Sequence, residues 1–200
     1  LKDERVFVNG SPERGLPLAD LARAAHQAFD LPRGMEPGLL EHAGFDPVHV
    51  TFSYGVHAAT VEVDRLTGEV SLLRYVVIHD CGPLVNPTIV EGQIWGGIAQ
   101  GLGAALLEEL RFDDGGQPLT TSLMDYMLPV TTSMPEIDIA HTETPSPFTP
   151  DGAKGCGESG TIPSAPVIVA AIEDALAPFG ATLRSIPVTP ELIWLAMNGA

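Results

Sequence analysis

Hydrophobic and polar positions follow two different periods along this chain, and the change of period separates predicted helices from predicted strands. Over residues 17–29, apolar side chains recur every three or four positions, which is the spacing of an amphipathic helix. Residues 48–54 and 56–64 are rich in β-forming side chains. A second run of this kind covers 69–79, and the segment Arg65-Leu66-Thr67-Gly68 separates the two runs. This pattern predicts a β-hairpin, the clearest one in the sequence.

A long glycine-containing helix is predicted after the hairpin. Asn86 is a good N-cap, and Pro87 suits the first helical position, so the helix is expected to begin there and to reach about Leu110. Its interior carries Gly92, Gly96, Gly97, Gly101 and Gly103. Each interior glycine costs about 0.5–1 kcal/mol relative to alanine. We therefore expect this helix to lie very close to a strand, another helix or a ligand.

The last third of the chain predicts short elements separated by a long loop. Residues 142–166 are expected to be almost entirely loop. The predicted elements are a short strand marked by Ile137 and Ile139, a helix over 167–176, a strand over 181–188 and a helix over 191–197. Strands and helices are interspersed without a regular βαβ rhythm, which predicts an α+β fold with mixed sheets and helices.

The chain is expected to divide near residue 47. Residues 30–47 hold three prolines and three glycines and predict an extended connector that lies over other elements. We expect a helix and connector over 1–47, followed by a C-terminal subdomain over 48–200. A connector and a glycine-rich helix that both need covering also predict self-association of the isolated chain.

Composition narrows the possible functions. The chain has 200 residues with 10 Lys+Arg and 26 Asp+Glu, a formal charge of −16, and 44% apolar residues. That apolar share is typical of a folded domain, and the acidity argues against nucleic acid and anionic membranes as partners. The sequence contains no apolar run of about 18 residues, so it predicts no transmembrane segment. The two cysteines form no CxxC pair, and the first residues lack a signal peptide's apolar core, so a cytoplasmic location is expected.

The segment GAKGCGESG, over residues 152–160, is the most informative for chemistry. It matches GxGxxG, but a proline-rich loop precedes it where a dinucleotide fold requires a strand. It also resembles a phosphate-binding loop, but Glu158 replaces the required lysine and would repel a phosphate. Two interpretations of Glu158 remain: a solvated loop residue, or a general base whose properties are set by its pocket.

Other polar residues allow weaker interpretations. Gln93 and Gln100 lie seven positions apart on one helix face, where they are either surface residues or hydrogen-bonding partners of a heterocycle. Cys156 is either a buried or loop thiol or a nucleophile with His79 or His141 as its base. The six histidines show no HxxxH or HExxH spacing, so we assign no metal ligand, including in the segment His79-Asp80-Cys81.

Four segments together resemble one known family. They are YGVHAATVEVD at 54–64, DCGPLVNP at 80–87, VEGQIWGGIAQG at 90–101 and GAKGCGESGT at 152–161. In this order they resemble the molybdenum hydroxylases, which include xanthine dehydrogenase, aldehyde oxidase and the large subunit of aerobic carbon monoxide dehydrogenase. The ESG ending and the segment DLPRGMEPG at 30–38 are most similar to the carbon monoxide dehydrogenase branch. Neither Cys81 nor Cys156 lies in the loop that carries a copper-binding cysteine in that branch.

The resemblance implies a role for each matching residue. Glu158 matches the family's catalytic glutamate, a base that acts on a hydroxyl at the molybdenum centre, with water as the source of oxygen. Gln93 matches a glutamine that hydrogen-bonds near molybdopterin. The loop residues Lys154, Gly155, Cys156 and Gly157 are assigned to cofactor binding on the same ground.

The resemblance also implies partners. The cofactor would be molybdopterin, as the cytosine dinucleotide in most bacterial members, while FAD and 2Fe-2S clusters would reside on a medium and a small partner subunit. The chain resembles only the C-terminal part of the family's large subunit, so it is expected to act with the remainder of that subunit on a small-molecule substrate and to be inactive alone. The alternatives are a stand-alone, non-catalytic structural or assembly domain of a split enzyme, and a hydrolase that uses Cys156.

Overall fold

The computed structural model describes residues 1–199 and divides the chain into two compact units, residues 1–46 and Pro47 onward. The first unit contains the antiparallel strands β1 (Arg5–Val8) and β2 (Ser11–Pro17), followed by helix α1 (Leu18–Gln27). The helix confirms the amphipathic pattern, and the two strands were not predicted. Their charged, glycine- and proline-containing sequence lacks the apolar alternation that marks a strand.

The second unit is built on a three-stranded sheet. Strands β3 (Tyr54–Val63) and β4 (Val70–Asp80) form the predicted antiparallel hairpin. A β-bulge lies between Thr60 and Val61. The third strand, β5 (Glu136–His141), pairs in parallel with β4. Since parallel strands need a crossover connection, the chain between Asp80 and Glu136 leaves the sheet before it returns.

The long helix of that crossover is α2 (Pro87–Leu106). The predicted cap is confirmed, because the Asn86 side chain accepts a hydrogen bond from the Ile89 N–H at 3.2 Å. The helix ends at Leu106, four residues before the predicted Leu110. The N–H of the next residue, Leu107, donates to the Gly103 carbonyl.

The remaining helices are α3 (Ser164–Leu176) and α4 (Pro190–Asn198). Helix α3 begins three residues earlier than predicted. The predicted strand over 181–188 is wrong, because its backbone bonds elsewhere: the Leu183 N–H donates to the Glu173 side chain and the Val188 N–H to the Ala105 carbonyl. No helix among residues 1–199 is long and apolar enough to cross a membrane.

The core of the second unit lies where α2 and α3 pack together and against the sheet. Its fully buried residues come from all of these elements and from the C-terminal segment: Tyr75, Val77, Ile94, Ile98, Leu102, Ile168, Ile172, Leu176, Val188 and Ile193. Sheet and helices thus form one mixed hydrophobic core, and the prediction of an α+β fold is confirmed. This core fixes the end of β4 and the middle of α2, which the glycine-rich loop of residues 152–160 contacts.

Candidate active site

The loop of residues 152–160 crosses the end of strand β4 at very short range. A Cβ atom built on Gly82 would lie 2.2 Å from the carbonyl oxygen of Gly152, and Gly82 has a φ of +70°. Only glycine fits both the contact and the backbone angle. The Lys154 N–H then donates to the Cys81 carbonyl at 2.8 Å, so the loop is bonded to the residues that follow the strand.

The same loop packs against helix α2 through glycines of both segments. A Cβ on Gly97 would lie 2.6 Å from the Thr161 nitrogen, and a Cβ on Gly160 would lie 2.5 Å from the Ile94 carbonyl oxygen. Gly101 approaches Ser164 in the same way. The expectation that α2 approaches other backbone closely is therefore confirmed at Gly97 and Gly101. Gly92 and Gly96 instead have no atom within 4 Å of an added Cβ.

Glu158 lies at the turn that leads into helix α3. Its carbonyl oxygen accepts hydrogen bonds from the Thr161 and Ile162 N–H groups at 3.0 and 3.1 Å, which fix its backbone. Its side chain is exposed and makes no hydrogen bond or ion pair with any other part of the described chain. The side chain thus projects from a fixed backbone without a partner within residues 1–199.

Gln93 lies beside this turn. Its Oε1 atom is 3.9 Å from the position of a Cβ on Gly157, the residue before Glu158. Gly155 is also open, since a Cβ there would meet only the Thr51 carbonyl oxygen, at 4.0 Å. The structure therefore brings together four of the six predicted site residues, Gln93, Gly155, Gly157 and Glu158. Gln100 lies apart from them and accepts a hydrogen bond from the Thr161 hydroxyl at 3.4 Å.

Lys154 lies in the same loop, but its side chain faces the protein interior. Its Nζ atom is 2.8 Å from Asp80 Oδ1, and the two side chains are each 5% exposed. Asp80 also accepts hydrogen bonds from the Gly82 N–H, the Thr144 N–H and the Thr142 hydroxyl. Burial by itself would raise the pKa of Asp80, but the bonds from Lys154, Gly82 and Thr144 hold that pKa well below its usual range.

The two cysteines lie inside this region without the features of a nucleophile. Cys81 is buried, and burial, followed by the nearby Cys156 and Asp80, raises the pKa of its thiol. Cys156 packs at the edge of the hydrophobic core. Within residues 1–199, the ring nitrogens of His79 and His141 have no hydrogen-bond partner in the protein, so neither histidine is bonded to Cys156. The arrangement gives no support to a hydrolase based on this cysteine.

Each strand of the sheet carries a histidine near the same end. His57, His79 and His141 lie on β3, β4 and β5, and the rings of the last two are 5.8 Å apart. His57 Nδ1 is 2.9 Å from the Tyr75 hydroxyl. Burial lowers the pKa of both His57 and His79, and each pKa is lowered further by a neighbouring histidine. In the part of the chain that the structure describes, no three His, Cys, Asp or Glu side chains are grouped to hold a metal ion.

The sequence analysis missed three contributors to this region. Asp80 and Tyr54 contact the Lys154 ammonium, and the Ser53 hydroxyl is 2.7 Å from the hydroxyl of Ser159. The one available signal was the polar segment His79-Asp80-Cys81 at the end of an apolar strand, where a buried acid calls for a partner.

Comparison with known proteins shows the family to which the chain belongs. A family model described as a molybdopterin cofactor-binding domain matches residues 1–135. The chain belongs to this family. The predicted membership of the molybdenum hydroxylases is thereby confirmed, and the relatives of this molybdopterin-binding chain are oxidoreductases of that kind.

Relatives and solved structures match this molybdopterin-binding chain over nearly its whole length. It is 42% identical to the nicotine 6-hydroxylase large subunit of Paenarthrobacter nicotinovorans, over 100% of the chain and 24% of the relative. It is 39% identical to the carbon monoxide dehydrogenase large chain of Hydrogenophaga pseudoflava, over 98% of the chain and 24% of the relative. The crystal structure of quinoline 2-oxidoreductase from Pseudomonas putida 86 matches with a TM-score of 0.90 and 44% identity, over 99% of the chain and 25% of that structure. The chain therefore spans about a quarter of the length of these proteins.

The residues around Glu158 fit a large heterocyclic group such as molybdopterin. Gly155 and Gly157 are both exposed, and a Cβ on either would meet no atom closer than 3.9 Å, so a bound group can approach the loop backbone there. The Gln93 amide beside it can donate and accept hydrogen bonds at once, as a pterin ring requires. Backbone groups and one amide are a suitable set of hydrogen-bonding partners for such a heterocycle.

Proposed function

We propose that this chain forms part of the active site of a molybdenum hydroxylase large subunit, in which Glu158 is the general base. The observation that carries the proposal is the placement of Glu158: a free carboxylate on a fixed turn, next to the open backbone of Gly157 and the amide of Gln93. A general base must come within about 2.6–3.2 Å of the proton that it takes. The Glu158 backbone is fixed by hydrogen bonds, while its unpartnered carboxylate can move toward such a proton.

The chain's residues divide the work of such a site. Gln93 and the loop backbone at Gly155 and Gly157 would bind and orient molybdopterin, and Glu158 would take a proton from the oxygen that is transferred to the substrate. When bound, the cofactor supplies the two-electron oxidation, while the protein supplies placement and the base. Water is the source of the oxygen in this proposal.

The partners in this proposal follow the relatives. The relatives include large subunits and a subunit gamma of a dehydrogenase complex. We infer that the chain acts with the remainder of a large subunit, that the cofactor is the cytosine dinucleotide form, and that electrons leave through 2Fe-2S clusters and FAD on partner subunits in the cytoplasm. The isolated chain is inactive in this proposal, since a large cofactor needs polar groups from several segments.

The substrate class is a small molecule. The names of three relatives mention different compounds: nicotine, carbon monoxide and quinoline. All three proteins nevertheless match this chain over nearly its whole length. Substrate choice among them therefore does not follow from this segment alone, and the proposal concerns the reaction type.

The test is Glu158→Gln in the complete, cofactor-loaded enzyme. Glutamine has nearly the size of glutamate and still forms hydrogen bonds, but it cannot take the proton. We expect molybdenum content to stay unchanged and turnover per bound molybdenum to fall about 10²–10⁴-fold. The matched control is Glu62→Gln, because the Glu62 side chain is exposed on strand β3 and makes no hydrogen bond or ion pair within residues 1–199. Equal turnover in both variants would show that Glu158 is only a surface residue.

A further inference from the structure

The ion pair between Asp80 and Lys154 is the most deeply buried charged contact in the second unit that the proposed reaction does not use. Its two side chains are each 5% exposed, and the Lys154 Nζ also lies 4.1 Å from the centre of the Tyr54 ring. Burying two charges is costly unless the geometry is good and further hydrogen bonds satisfy both groups. A pair retained at such a cost calls for a specific role.

One end of this pair is rigid. Asp80 is the last residue of strand β4, and it accepts bonds from the Gly82 N–H at 2.9 Å, the Thr142 hydroxyl at 3.1 Å and the Thr144 N–H at 3.1 Å. Thr142 and Thr144 directly follow strand β5. The carboxylate is therefore fixed by the ends of two paired strands before Lys154 reaches it.

The other end of the pair lies four residues before Glu158. Between them lie Gly155 and Gly157, whose backbones have wide freedom, and Cys156, which packs at the edge of the hydrophobic core. On the far side, Ser159 is held by its hydroxyl contact with Ser53, and Gly160 packs against α2. The turn with Glu158 is thus anchored downstream by Ser159 and Gly160 and upstream by Lys154.

We propose that the Asp80–Lys154 ion pair is the upstream anchor that sets the position of Glu158, and that both are positioning residues for catalysis. The inference rests on the proposed role of Glu158 as base. The pair touches neither substrate nor cofactor in this proposal. It holds the Lys154 end of the loop against the end of β4, so that the two open glycines cannot let the carboxylate drift.

The experiment uses the cofactor-loaded enzyme with two variants and one control. Lys154→Met removes the ammonium but keeps the chain length. The double variant Asp80→Asn/Lys154→Met removes both charges, so no uncompensated charge stays buried and folding is retained. The control is Arg74→Met, which removes an exposed ion pair with Asp138 that joins β4 to β5 and does not involve the loop.

Three quantities separate positioning from general structural support. Turnover per bound molybdenum should fall about 10–100-fold with KM within about twofold, because a displacement of about 1 Å can cost 10²-fold. Hydrogen exchange of the amides of residues 155–160 should become about tenfold faster, as expected for a locally loosened segment. Molybdenum content should stay near that of the unmodified enzyme. Arg74→Met should change none of the three.

Several results would overturn the inference. One is a double variant with unchanged kcat and unchanged amide exchange at 155–160. Another is loss of molybdenum at constant turnover per bound metal, which would make Lys154 a cofactor-retention residue. A double variant that cannot fold would show a global rather than a local role. Glu158→Gln decides the proposed function separately: an inactive Glu158→Gln beside a fully active double variant refutes the anchor alone.

Discussion

Gln93 is the residue whose predicted role can be separated most cleanly from catalysis. We expect Gln93→Ala to weaken cofactor retention about fivefold, because one neutral hydrogen bond is worth about 1 kcal/mol. Turnover per bound molybdenum should change less than about threefold. Molybdenum analysis after gel filtration, together with turnover per metal, measures both quantities.

The control for this variant lies on the same helix. Gln100→Ala removes an amide that is two turns away and bonded to the Thr161 hydroxyl, so molybdenum retention should be unaffected. A Gln93→Ala enzyme that keeps its full molybdenum content but loses turnover would contradict the assignment and place Gln93 in the chemical step.

The residues of the site differ in how far the sequence could predict them. The glycine loop excludes the common nucleotide motifs by its own residues, but it left Glu158 as either a solvated residue or a base, and only the family resemblance assigned it a role. The partnership of Lys154 with Asp80 was not predictable, since the two residues are 74 positions apart. Lysine and aspartate are usually exposed, and nothing local in a sequence marks a charge as buried.

Helix α2 offers a prediction that uses two adjacent glycines. Gly97→Ala should destabilise the protein by about 1–3 kcal/mol, because the new Cβ would lie 2.6 Å from the Thr161 backbone nitrogen, which has little room to move. Gly96→Ala should stabilise it by about 0.5–1 kcal/mol, since no atom lies within 4 Å and alanine is the better helix former. Urea unfolding of the two variants checks the difference in sign. Two variants of equal stability would mean that the contact at Gly97 does not form.

Elements specified by local signals were the ones predicted well. The β3–β4 hairpin follows from its turn and its β-rich flanks, and the start of α2 follows from Asn86 and Pro87. The wrong strand at 181–188 has strand-like composition, but it bonds to Glu173 and Ala105 instead of to another strand. Which partner a segment finds depends on residues remote in sequence, and composition alone does not identify it.

For the molecule as a whole, the buried histidines predict a loss of stability in mild acid. The pKa of His79 is lowered first by burial and then by His141, while Lys154 lowers it further and Asp80 opposes the shift. Unfolded histidine titrates near pH 6.5, so below that pH the unfolded chain binds more protons than the folded chain. Stability should therefore be complete above about pH 7 and fall as the pH drops from 6.5 toward 5.

Asp80 does not contribute to the loss of stability between pH 7 and pH 5. Its pKa is also lowered, but an unfolded aspartate titrates near 3.9, so its stabilisation is lost only below about pH 5. His79→Leu should flatten the dependence between pH 7 and 5 by up to about 1.4 kcal/mol per pH unit. His42→Leu, at an exposed position, should leave the slope unchanged. Chemical unfolding at several pH values gives both slopes, and an undiminished slope in His79→Leu would rule out this histidine as the source.

The parallel pairing of β4 with β5 sets the order in which these parts can assemble. The β3–β4 hairpin needs only contacts between neighbours in sequence, whereas β5 pairs after the whole crossover from Asp80 to Glu136 has closed. Thr142 and Thr144 arrive with β5, and Lys154 arrives later still along the chain. During folding, Asp80 therefore stays hydrated until these residues dock around it. The turn that carries Glu158 is consequently among the last parts of the protein to mature.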